Sequence, residues 1–127
     1  MINRQNTRPD NPINYTEVLE RIGGDTEFLE ELLNIFFLEF QEKKSQIEVA
    51  LARANFSLIQ EIGHSLKGAS ANLSLPSLRS DASALEAAGR DKNIERARQA
   101  LISLVVECRA LHDFVRKNPP QAQAQSV

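Results

Sequence analysis

The sequence predicts an all-α fold, an antiparallel four-helix bundle with a short additional helix at its N-terminal end. Three observations carry this. Apolar residues recur at three- and four-residue spacing through most of the chain. No stretch shows the alternation of a strand or the turn chemistry of a hairpin. Only 5 Gly and 5 Pro punctuate 127 residues, too few for a loop-rich chain.

Each element has its own signals. Residues 1–13 are polar and contain Pro9 and Pro12, so they read as a flexible arm. The bundle should then occupy residues 14–117. A short first helix over Tyr15 to Ile22 is stopped by Gly23-Gly24. Asp25 is a suitable N-cap for a long second helix, with Glu27 in its first turn. Phe28, Leu32, Phe36 and Phe40 follow at four-residue spacing, with Leu29, Leu33 and Phe37 alongside, and the helix should reach about Ala54. A third helix runs from near Asn55 to about Leu73. Ser74 or Ser77 can cap a fourth, with Pro76 in its first turn. That helix should bury Leu78, Ala82 and Leu85 and close around Gly89. A fifth runs from Asn93 to Lys117, turning Leu101, Val105, Cys108 and Val115 inward, helped by Ile94, Leu104 and Leu111. Residues 118–127 are low in complexity and are expected to be a disordered tail.

Composition narrows the function classes. The length is that of one domain. A net charge of −2 offers no electrostatic case for nucleic acid or an anionic membrane surface. No apolar run approaches the ~20 residues that span a bilayer. No secretory leader is recognisable near Met1, so a cytoplasmic location is the default expectation. The single Cys108 permits no internal disulfide, and its helical phase places it in the core. Nothing marks a self-complementary patch, so a monomer is expected.

The third helix carries the informative stretch. With Ile62 as the zero direction and ~100° per residue, Leu58, Ile59, Leu66, Ala69 and Leu73 cluster within ~60° of it. His64 lies ~160° away, on a polar, small-residue face with Gln60, Lys67, Gly68 and Ala71. Gly63 and Gly68 flank the histidine, each costing ~1 kcal/mol relative to alanine in a helix, which suggests that bare backbone is needed there. Helical side chains lean toward the N-terminus, so the residues three and four positions on cover a given residue. For His64 these are Lys67, whose ammonium can swing over the imidazole, and Gly68, which leaves it open. An exposed imidazole beside a cation suits a nucleophile that accepts a phosphoryl group.

The segment His64-Ser65-Leu66-Lys67-Gly68-Ala69-Ser70-Ala71-Asn72-Leu73 resembles the signature of histidine-containing phosphotransfer (HPt) domains of two-component phosphorelays. Ile22-Gly23-Gly24-Asp25, the Phe36 to Phe40 segment and Leu85-Glu86 with Ala88-Gly89-Arg90 extend the resemblance over roughly residues 15–117. Ser74 departs from it, standing where the family often has glycine. The resemblance implies phosphorylation at His64 Nε2, charge neutralisation by Lys67, and a hydrogen bond from His64 Nδ1–H to Glu86 that fixes the ring. The competing reading of Glu86 is a solvated glutamate paired with Arg90 at i+4. The implied partners are response-regulator receiver domains, with a hybrid sensor histidine kinase as a further candidate. They would dock on Ile22, Gln60, Glu61, Gly63, Gly68 and Ala71. Mg²⁺ would belong to the receiver's acidic pocket and no cofactor to this chain. No P-loop is present, so ATP use is not expected.

Two histidine patterns remain. Glu61-Ile62-Gly63-His64 is an E-x-x-H string, the spacing used in di-iron bundles. The chain lacks a second copy, and His64 faces outward, so no metal site is expected. His112 falls on or beside the fifth helix's apolar stripe and reads as a packed or half-buried structural residue. A helical-bundle interaction module without covalent chemistry is the alternative to phosphotransfer.

Overall fold

The structure, a computed structural model, describes residues 11–124. Helices α1 (Tyr15–Arg21), α2 (Thr26–Ala52), α3 (Phe56–Asn72), α4 (Pro76–Arg90), α5 (Ile94–Lys117) and α6 (Pro120–Ala124) follow one another, and no strand occurs among the described residues. Helices α2 to α5 form the four-helix bundle. Each connection within it is three residues long, which holds sequential helices antiparallel. Neighbouring pairs are α2 with α3, α3 with α4, α4 with α5, and α5 with α2.

The three tight connections share one mechanism. In the first, the Ala54 N–H donates to the Leu51 carbonyl and the Asn55 N–H to the Ala50 carbonyl. The same pair of bonds recurs with Ser74 and Leu75, and with Lys92 and Asn93. This Schellman closure needs a left-handed residue at its turn. Ala54, Ser74 and Lys92 supply it at φ of 50°, 57° and 54°. None is glycine, so composition gave no warning of these turns. The next residue then caps the following helix. Asn55 accepts from the Leu58 N–H and Asn93 from the Arg96 N–H, as Asp25 accepts from the Phe28 N–H.

Helix α4 departs from the expected pattern. Neither Ser74 nor Ser77 caps it; Leu75 holds the N-cap position without a side-chain bond, and Pro76 follows. Ser74 is already committed to the left-handed turn. Leu75 is 1% exposed, and burying such a side chain is worth ~1.5–3 kcal/mol, more than the ~1 kcal/mol of a cap.

Helix lengths explain both ends of the chain. Helices α2 and α5 have 27 and 24 residues, α3 and α4 only 17 and 15. At ~1.5 Å per residue the longer pair overhangs the shorter by ~10 Å or more. Helices α1 and α6 cover the overhang. Tyr15 stacks on Phe114, with ring centroids 6.2 Å apart, and its hydroxyl donates to the Asn118 carbonyl. Burial raises the Tyr15 pKa.

The described parts of both terminal segments are held against the bundle. Ile13, the last residue of the expected arm, is fully buried, and Asn14 N–H donates to the Ser74 carbonyl. The expected disordered tail contains α6, which packs on α2, buries Pro120 and Gln123, and bonds Gln121 to Glu30. Two prolines restrict the chain there and lower the entropy lost on docking. Residues 1–10 and 125–127 of these segments lie outside the described residues.

The core is the apolar stripe of every helix, with small differences. Phe28 is 44% exposed, because strict four-residue spacing drifts ~40° per step and the first member leaves the buried arc. On α5, Leu104, Cys108 and Leu111 are buried, while Leu101, Val105 and Val115 are half-buried. Burial pushes the Cys108 thiol up to about 11, as expected of a core cysteine.

Candidate functional site

The candidate site lies on the seam of α3 and α4, and its geometry starts from two glycines. A Cβ built on Gly63 would lie 2.5 Å from the Glu86 amide nitrogen and 2.8 Å from its Cα. A Cβ on Gly89 would lie 2.5 Å from the Gln60 amide nitrogen. Each glycine is thus the hollow into which the other helix's backbone fits, bringing the helices closer than any side chain would allow. Gly63 is buried in that contact and is not available for docking; the expectation that it faces a partner is corrected. Gly68 differs, with nothing within 4 Å of a Cβ built on it.

The close approach places Glu86 beside His64. His64 Nδ1 lies 2.8 Å from Glu86 Oε2, and Lys67 Nζ donates to Glu86 Oε1 at 2.6 Å. Glu86 does not pair with Arg90, whose Nε reaches Asp91 instead. The Glu86 side chain is 18% exposed and that of His64 73%. Hydrogen bonds from Lys67 and then His64 hold the Glu86 carboxyl below the usual carboxylate range. An ionised carboxylate only accepts hydrogen bonds, so Nδ1 carries the proton and the neutral ring's Nε2 lone pair points outward. Lys67 is half-buried, and its ammonium rests on the Glu86 carboxylate beside the imidazole.

Around this triad, Gln60 and Glu61 are exposed on α3, and Ala71 and Ile22 are half-buried. An unforeseen network brings α1 to this face. Ser74 Oγ donates to Glu17 Oε1 at 2.7 Å, and Arg21 donates to Ser74 Oγ, to Glu17, and to the carbonyls of Ala71 and Asn72. The bonds from Ser74 and Arg21 lower the Glu17 pKa. They anchor the end of α1, and with it Ile22, next to Ala71. The only hint of this in the sequence was the serine at a turn position where glycine is common.

His112 is exposed, where a packed or half-buried position was expected. Its ring stands edge-on to Phe37, centroids 5.2 Å apart, between α2 and α5. It lies on the opposite seam from His64. Among the described residues, no group of three or more His, Cys, Asp or Glu is placed to hold a metal ion, and no helix is long and apolar enough to cross a membrane.

The family model for the Hpt domain matches residues 31–122, from the second turn of α2 into α6. No curated protein sequence matches the chain.

Proposed function

The chain belongs to the Hpt domain family, whose members serve histidine phosphotransfer in phosphorelays, and we propose that His64 is its phosphoryl acceptor and donor. The observation that carries this reading is the open imidazole whose Nδ1–H is held by Glu86 beside Lys67 and bare Gly68. The Nε2 lone pair attacks the phosphorus of a receiver's aspartyl phosphate. The N–P bond forms as the P–O bond to the aspartate breaks, and the carboxylate leaves. No proton has to move. The ring keeps its Nδ1 proton and gains positive charge, which the Glu86 carboxylate offsets at 2.8 Å. Lys67 leaves Glu86 for the phosphoryl oxygens, so its charge follows the incoming anion. The reverse attack by a second aspartate returns the group.

Gly68 leaves space above the ring, while Ile22, Gln60, Glu61 and Ala71 form the surface that meets the partner. Hpt domains work with receiver domains and kinases. For this chain we infer receiver domains of response regulators as direct partners, a hybrid sensor kinase as a further one, Mg²⁺ in the receiver's pocket, a monomeric state and a cytoplasmic location.

The test is incubation of the chain with a phosphorylated receiver domain. Acid-labile, base-stable label is expected on the parent chain and none on a folded His64→Gln variant. Label retained by His64→Gln refutes the assignment, and a parent chain that binds the receiver without labelling identifies an interaction module instead.

A further inference from the structure

The seam of α2 and α5, across the bundle from His64, carries a feature that phosphotransfer does not use. Two depressions of about 420 and 280 Å³ lie along it and share Phe37 and His112 as lining residues. Together they extend from Lys44 to Glu30 on α2, ~20 Å at the rise of a helix. The floor is apolar, with Phe37, Phe40, Val105 and Cys108. Leu38, on the rim, leaves 74% of its surface in water, the most exposed large apolar residue described. Such a position stabilises nothing in the isolated chain. Covering it would contribute as burial of a leucine does.

The rim is predominantly cationic. Lys44, Arg109 and Arg116 line the groove, and none of them makes a salt bridge among the described residues. Glu30, at one end, is the only carboxylate lining it, and Gln121 bonds to it. This basic rim stands on a chain whose net charge is −2.

We propose that the α2–α5 groove is a second interaction surface, and that its occupant is an amphipathic helical segment of another protein with an apolar stripe flanked by Asp or Glu. The length of the groove matches about four turns of helix, and an apolar floor between cationic walls is the complement of such a segment. The charge disfavours a second copy of this chain, because two such grooves face to face would bring Lys44, Arg109 and Arg116 of both copies together with only Glu30 of each to offset them. The chain's own N-terminal residues fit poorly. Residues 1–10 contain Arg4 and Arg8 against one acid, Asp10, the wrong balance for a basic rim. Because α2–α5 and α3–α4 are opposite seams, this surface stays open while a receiver occupies His64. It would tether the carrier to a larger assembly.

The experiment titrates the full ¹⁵N-labelled chain with a designed 15-residue helical peptide carrying a leucine stripe flanked by glutamates. A peptide with lysines replacing the glutamates is the control. The acidic peptide is expected to shift amides of residues 37–44 and 105–116, to leave those around His64 in place, and to weaken with salt. Lys44→Glu with Arg109→Glu should reduce its affinity at least tenfold while the circular dichroism spectrum stays unchanged. Leu38→Ala should weaken it without altering the salt dependence. The proposal is overturned if the acidic peptide fails to bind, if it binds the charge-reversed chain equally well, or if the shifts centre on His64. Equal competition by heparin, a polyanion without an apolar face, would also overturn it. So would concentration-dependent self-association abolished by Leu38→Glu, which would make a second copy the occupant.

Discussion

Alanine substitution at two glycines five residues apart on the same helix should act with opposite signs. At Gly63 the new Cβ would meet backbone atoms of α4 at 2.5 and 2.8 Å. Ordinary carbon contacts begin near ~3.5 Å, so α4 must retreat by about 1 Å. Overpacking of this kind costs ~1–3 kcal/mol, and backbone contacts place it in the upper half of that range. Helix propensity returns ~1 kcal/mol. The net loss is ~1–2 kcal/mol, or a Tm lower by roughly 3–10 °C for a domain of this size. The retreat also carries Glu86 away from His64. Their 2.8 Å contact would open to nearly 4 Å, beyond hydrogen-bond reach, so phosphoryl acceptance should fall as well. At Gly68 the Cβ enters open space. Only the propensity gain of up to ~1 kcal/mol remains, and Tm should rise by roughly 3–5 °C. Urea and thermal unfolding followed by circular dichroism measure both stabilities, and transfer from a phosphorylated receiver measures function. A Gly63→Ala chain as stable as the parent would refute the close-approach argument. A destabilised Gly68→Ala chain would show that Gly68 is held by packing.

Three further outcomes follow from the same geometry. The Glu86 carboxyl is held below its ordinary 4.5, so its contribution to stability is present above that value and lost as pH falls through the lower folded one. Glu86→Gln should therefore flatten the acid limb of the stability curve, with parent and variant converging progressively as pH falls below 4.5; curves that stay parallel throughout the acid range would deny the coupling. Ala54→Gly should relieve a left-handed alanine at φ 50° and stabilise by up to ~1 kcal/mol. Ser74→Gly relieves the same strain but removes the bonds to Glu17 and Arg21, so equal gains at both positions in urea unfolding would show that those bonds contribute nothing. Cys108, buried with its pKa raised to about 11, should resist thiol reagents at pH 8 until urea unfolds the chain, and rapid labelling of the native protein would place it outside the core.

The sequence alone determined what depends on periodicity and local chemistry. The number and order of the bundle helices, the Asp25 cap and the exposure of His64 follow from spacing along one chain, because a helix sets the direction of each side chain by its position. Gly68 was legible for the same reason: His64, the residue it leaves uncovered, lies on its own helix. Gly63 looked identical in sequence and proved different, since its neighbour is the backbone at Glu86, 23 residues away. Which role Glu86 takes was open between Arg90 and His64. The α3–α4 distance decided it, and two reciprocal glycine hollows set that distance. The docked α6, the Ser74–Glu17–Arg21 network and the exposed His112 likewise depend on how far one helix outreaches another and which faces meet. Those are properties of packed surfaces, where partners distant in sequence compete for the same group, and no local pattern records the winner.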